Sequence, residues 1–250
     1  GNAALAAYAA SQFYVGDKDG DFGQGKWYLP SIGEWLYFNG TDTNQMTEGY
    51  DVITHKGYNR TVISKALEIL GNKEYNKVNF LSGYYLSSSE SSGSGAYVIE
   101  MNAWDPNYNY SISDRKKSDI IRVRCFLGLN LSFGGTAPKV GDVMYLDKTW
   151  NSAENDDGSK TPVGIIVAVS EDGQDVTIIN LKDLKFSSSD TIGNFNPDNP
   201  YSGTTGQIRW CTLDKRNEDI IGIQNFSISS TMATLLSKAH NCPCQFYTLE

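Results

Sequence analysis

Three stretches of this 250-residue chain hold side chains whose types and spacing could do chemistry. The loop GDKDGDFGQG, residues 16–25, places Asp17, Asp19 and Asp21 at alternate positions on a glycine-rich segment. That spacing can turn several oxygens toward a calcium ion. It departs from the EF-hand loop: Phe22 stands where glycine is required, and Tyr28 where the bidentate glutamate belongs. The segment reads as an acidic turn, with calcium as the alternative, held at about 10⁻⁴–10⁻³ M as in extracellular modules. The second stretch, AWDPNYNYS at 103–111, interleaves Trp104, Tyr108 and Tyr110 with Asp105, Asn107 and Asn109. Aromatic faces ringed by amides and carboxylates grip sugars and peptides. Trp104, Asp105, Asn107, Tyr108 and Tyr110 are accordingly the candidate ligand-binding residues, with a loop packed on its own sheet as the plainer reading. The third, SGYYLSSSESSGSG at 82–95, is rich in hydroxyls but lacks G-x-S-x-G, and the chain has only 2 histidines to serve as bases. It reads as a strand running into a serine-rich loop.

Glu34, in GKWYLPSIGEW at 25–35, is the remaining candidate acid. A general acid needs a second carboxylate or a substrate-facing pocket, and no acidic residue recurs at a spacing tied to it. Ser31 lies three residues before it, the arrangement of a capping box. Pro30 fixes φ just ahead of that helix start. Trp27, Pro30, Ser31 and Glu34 are therefore given a structural role, and no catalytic residue is expected. The 4 cysteines, Cys125, Cys211, Cys242 and Cys244, allow three pairings of two disulfides. A bridge from Cys211 to Cys242 or Cys244 closes a loop of ~30 residues, for roughly 3–4 kcal/mol in the chain-entropy model; buried reduced thiols are the alternative. The Cys242-Pro243-Cys244 spacing suits neither CxxC redox chemistry nor a zinc knuckle. Calcium apart, no cofactor is expected.

Composition narrows the partners. The net charge of −8 argues against nucleic acid, which needs a basic face. The one dense basic run, Arg115-Lys116-Lys117, is flanked by Asp114 and Asp119 and reads as a solvated loop. No run of ~18 apolar residues exists to span a membrane. Aromatic residues make up 12% of the chain, beside many Ser, Thr, Asn and Gly, which favours β-structure with long polar loops.

Periodicity supplies the elements that must position these groups. Helices are expected over 3–14, from Ser31 to about Phe38, and over NRTVISKALEILG at 59–71. From residue 80 the period becomes two. YYLSSSE, AYVIEMNAW and IIRVRCFLGL read as strands, with residues 105–119 as a connection. In the last of these strands Ile121, Val123 and Cys125 form the buried face, and Arg122 and Arg124 point away. Residues 130–142 read as a linker, and 161–181 as a hairpin turning at SEDGQD. A closing helix is expected over 230–241. The chain opens with ALAAYAASQFY and ends with LLSKAHNCPCQFY. That echo fits chance or a repeat cut out of phase, in which 137–250 opens one unit and 1–133 closes another.

The first half resembles a known family. GKWYLPSIGEW, the helix ending ALEILG, GYYLSSSE, AYVIEMN and IIRVRCF resemble, in order and spacing, the Lcl-type domains of unknown function found in bacterial surface proteins, including those of Bacteroides-type organisms. The match covers about residues 20–130. Trp35 replaces the family's leucine and Leu86 its tryptophan, which changes core volume but not polarity. The second half, through VGDVMYLDKTW, KTPVGIIVAV and INLKDL, resembles the segment that precedes such a motif in related surface proteins.

The resemblance implies an α+β fold: a C-type-lectin-like mixed α/antiparallel-β domain over 1–133, then a β-rich domain over 137–250. It implies a secreted or surface-attached protein, extracellular or on the outer membrane, of lipoprotein or fimbrial type. The expected function is an adhesin-like, non-catalytic binding module for a glycan or a surface protein, able to assemble with other surface subunits. The alternatives are a glycan hydrolase with two carboxylates ~5–9 Å apart, and a structural repeat of a surface array that binds nothing.

Overall fold

The computed structural model describes residues 4–38, 58–73, 81–101, 110–131, 136–187, 195–211 and 216–217. Among these residues it is an α+β fold of three α-helices, a short 3-10 helix (Ala153–Asn155) and two five-stranded sheets. The helices are α1 (Leu5–Gln12), α2 (Ile32–Phe38) and α3 (Tyr58–Asn72). The strands in chain order are β1 (Gly83–Glu90), β2 (Gly95–Met101), β3 (Tyr110–Lys116), β4 (Ile120–Arg122), β5 (Phe126–Asn130), β6 (Val143–Tyr145), β7 (Trp150–Asn151), β8 (Pro162–Val169), β9 (Asp175–Asn180) and β10 (Gln207–Arg209). One sheet has the order β10-β4-β1-β2-β3, antiparallel except for β1 beside β4. The other, β5-β9-β8-β6-β7, is antiparallel throughout.

The expected boundary between 133 and 137 falls between β5 and β6, and the ladders cross it both ways. β5 comes before it and pairs with β9; β10 comes after it and pairs with β4. The buried apolar residues form two clusters, each drawing on both sheets. Strand β1 shows why. Its residues alternate between the clusters, with Leu86 in one and Tyr85 in the other, because both faces of the sheet are covered.

IIRVRCFLGL is not one strand. It forms β4 in one sheet, crosses at Val123-Arg124-Cys125, and continues as β5 in the other. The even alternation hid this break, since a crossover with both sides buried keeps no exposed face. Arg124, expected to point outward, is 0% exposed. Its Nε donates to Asp183 Oδ1 at 2.6 Å and its Nη1 to the Asn180 carbonyl at 2.7 Å. The Asn180 side chain in turn accepts from the Cys125 amide at 2.9 Å.

The WYLPS segment joins the two sheets. Tyr28 exchanges both backbone hydrogen bonds with Phe126 of β5, each at 2.9 Å. Two residues on, the Pro30 carbonyl accepts from Ser88 of β1 at 2.9 Å, and Ser89 Oγ accepts from the Ile32 amide at 3.1 Å. Trp35, 0% exposed, donates its indole N–H to the Leu86 carbonyl at 3.2 Å and sits edge-on to Phe38 and Phe126. Trp27 is likewise buried, edge-on to Phe13 at 4.8 Å. Such aromatic contacts add about 0.5–1.5 kcal/mol each beyond their buried area.

Candidate functional site

The described residues place a half-buried polar face on the β2–β3 hairpin. Residues 105–119 had read as a connection, but 110–116 form β3, whose seven pairs with β2 run from Gly95–Lys116 to Met101–Tyr110. The alternation within YSISDRK is the signal that marks it. Ile112 packs against the core while Ser111, Ser113 and Arg115 take the opposite face. Register places Glu100 beside Ser111, Val98 beside Ser113 and Ala96 beside Arg115, with Tyr84 of β1 in the Glu100 row. Tyr84, Glu100, Ser111, Ser113 and Arg115 are all half-buried.

Within this face the guanidinium carbon of Arg115 lies 4.4 Å from the centre of the Tyr84 ring. Strand β2 separates β1 from β3, so the Arg115 side chain crosses it, and the methyl of Ala96 opposite leaves it room. Ser111 Oγ donates to Glu100 Oε2 at 3.0 Å. Arg115 Nε and Ser113 Oγ are buried, and neither has a hydrogen-bond partner. A buried donor left unsatisfied costs about 1–3 kcal/mol, so both groups need explaining.

The other buried charges on the described residues serve the frame. Lys117 belongs to the basic run read as a solvated loop, yet it is 0% exposed. Its Nζ meets Glu90 Oε1 at 2.5 Å and the Gly93 carbonyl at 2.8 Å, beneath the Trp210 ring. The run thus divides by the pleat, with Lys116 exposed and Lys117 turned inward at the strand end. Asp183 is shared by Arg124 and Arg122. Asp156 accepts from the Tyr145 hydroxyl at 2.8 Å and faces Lys73 at 4.0 Å.

Glu34 behaves as a cap. Its Oε2 accepts from the Ser31 amide at 2.7 Å and the Ser31 hydroxyl at 2.9 Å, while Ser31 Oγ accepts from the Glu34 amide at 3.2 Å. Its other oxygen accepts from the Tyr28 hydroxyl at 2.7 Å. Cys125 is a buried free thiol, and burial pushes its pKa up, so it stays protonated rather than nucleophilic. Burial also drives Tyr85 up to about 12, too high for acid–base work near neutral pH. Cys211 is buried as well, whereas Cys242 and Cys244 lie outside the described residues, as do His240 and the expected closing helix.

Of the sequence-expected ligand residues, Trp104, Asp105, Asn107 and Tyr108 lie outside the described residues. Tyr110 is described and is 2% exposed, part of the core beneath the hairpin. Met101 and Tyr110, the described residues on either side of 102–109, pair with each other one step from the Glu100–Ser111 pair. In the acidic loop, Asp17 Oδ1 accepts from the Asp19 amide at 3.0 Å, and Asp21 meets Lys148 at 2.8 Å. Among the described residues no group of three or more His, Cys, Asp or Glu is placed to hold a metal, and no helix is long and apolar enough to cross a membrane. Comparison with family models, curated proteins and solved structures finds no match.

Proposed function

We propose that this chain is a non-catalytic recognition module of a bacterial cell surface. It holds a glycan or a surface protein on the β2–β3 hairpin and the adjoining residues 102–109, on a frame of C-type-lectin-like type as the Lcl resemblance implies. The carrying observation is the contrast in polar satisfaction. The buried charges Glu90, Lys117, Arg124 and Asp183 are paired with one another, while two of the four buried side-chain atoms that have no hydrogen-bond partner among the described residues, Arg115 Nε and Ser113 Oγ, lie together on the half-buried hairpin face. Recognition surfaces keep such polar groups beside aromatic rings on a rigid scaffold. The aromatic and amide composition of 103–111 supports the same reading.

A screen of glycans and surface proteins, run with calcium and with chelator, tests this. We expect a ligand whose binding survives the chelator and falls for Trp104→Ala. Silence across the whole screen, or binding that Trp104→Ala leaves unchanged, contradicts the proposal.

A further inference from the structure

We infer that the hairpin face is a subsite for a carboxylated sugar, with Arg115 as the group that takes the carboxylate. This rests on the recognition-module reading and names its ligand class. Among the described residues the Arg115 side chain makes no hydrogen bond or ion pair, and its guanidinium lies over the Tyr84 ring. The ring holds the planar guanidinium in place; Nε is buried, and the two terminal nitrogens are left uncommitted. A planar fork of donors, pre-positioned and partly desolvated, matches a carboxylate in two parallel hydrogen bonds. Anchoring reduces the side-chain entropy lost on binding.

The neighbours match the rest of a pyranose. Ser113 Oγ lies buried and without a hydrogen-bond partner beneath the same face, and is not itself a ligand contact. The Ser111–Glu100 pair adds a hydroxyl and carboxylate oxygens one row from the hairpin end. The other carboxylate of the strand, Asp114, is taken up by Ser91 Oγ and lies on the opposite pleat. Charge complementarity here is local. The chain's net charge of −8 disfavours an anion at long range, so the attraction comes from contact with one desolvated cation and not from a general field.

The test uses the full chain and calorimetric titration with trigalacturonate and with sialyllactose. Each has a neutral control: the methyl ester of the first, and lactose for the second. We expect both acidic sugars to bind more tightly than their controls, by about tenfold or more as one charge-assisted bidentate contact allows. Arg115→Ala should abolish that preference at unchanged Tm, and Arg115→Lys should restore only part of it. Neutral sugars or a protein bound in place of acidic sugars would overturn the subsite and leave the recognition module standing. Acidic sugars bound equally by wild type and Arg115→Ala would do the same. Absence of any ligand, across this set and the wider screen, overturns both.

Discussion

The helix corner at 27–35, which bridges the two sheets, and the β2–β3 face of sheet β10-β4-β1-β2-β3 are both mixtures of aromatic and charged residues, yet they handle polarity in opposite ways. At the corner both oxygens of Glu34 accept hydrogen bonds, and the segment bonds to β5 on one side and β1 on the other. On the hairpin a guanidinium lies on a ring with its Nε unmatched, beside an unmatched hydroxyl. A motif dense in conspicuous residues can therefore be wholly structural. The less conspicuous strand carries buried polar atoms that the frame leaves without a hydrogen-bond partner.

The sharpest way to break this contrast is to disturb a charge assigned to the frame. Lys117→Ala removes the cation beside the buried Glu90 carboxylate and should cost about 3–5 kcal/mol, whereas Lys117→Met with Glu90→Leu should be close to neutral. Urea unfolding of the three proteins checks it. Equal, small losses for the single and double variants would mean that the pair is not buried in solution.

Alkaline pH probes the same frame. Tyr85 ionises at about 10 when unfolded and about 12 when folded. Above pH 10 the unfolded chain loses this proton first, so stability is fully present below pH 10 and falls as pH rises toward 12. A shift of that size is worth about 2–3 kcal/mol at the top of the window. Cys125 and Tyr201, also raised by burial, act in the same direction. Denaturation midpoints at pH 9 and pH 11.5 should differ, and Tyr85→Phe should reduce the difference. A midpoint independent of pH would place these groups in water.

At the corner, Ser31→Ala should lower stability by about 1 kcal/mol through loss of the cap, read as a fall in Tm with no change in ligand binding. A larger effect on binding than on Tm would move the corner into the site. The smallest expected effect is that of Arg115→Ala on stability, within about 0.5 kcal/mol as for a partly exposed side chain.

The corner was legible in sequence because capping is local: serine, three residues and glutamate suffice, and proline marks the entry. Helices α1 and α3 were legible from their 3.6-residue periods, and the 161–181 hairpin from its turn, where Gly173 takes φ 75°. The crossover at 123–125 was not, because residues buried on both sides keep an alternating pattern that contacts alone can interrupt. The exchange of β5 and β10 between sheets is long-range pairing, which no local signal encodes. Strand β3 was hidden by composition: Asp114, Arg115 and Lys116 resemble a solvated loop until register shows Lys117 at the strand's inner end. The hairpin site was missed with it, since Tyr84, Glu100 and Arg115 become neighbours only through the ladder.

The most direct measurement is the Nε–H resonance of Arg115, assigned by its absence in Arg115→Lys and followed by NMR as trigalacturonate is added at fixed pH and salt. The structure predicts a saturable shift of that resonance and slower exchange of its proton, with the side-chain signal of Arg124 unmoved. A bound ligand that shifts other residues while the Arg115 resonance stays still would contradict the account.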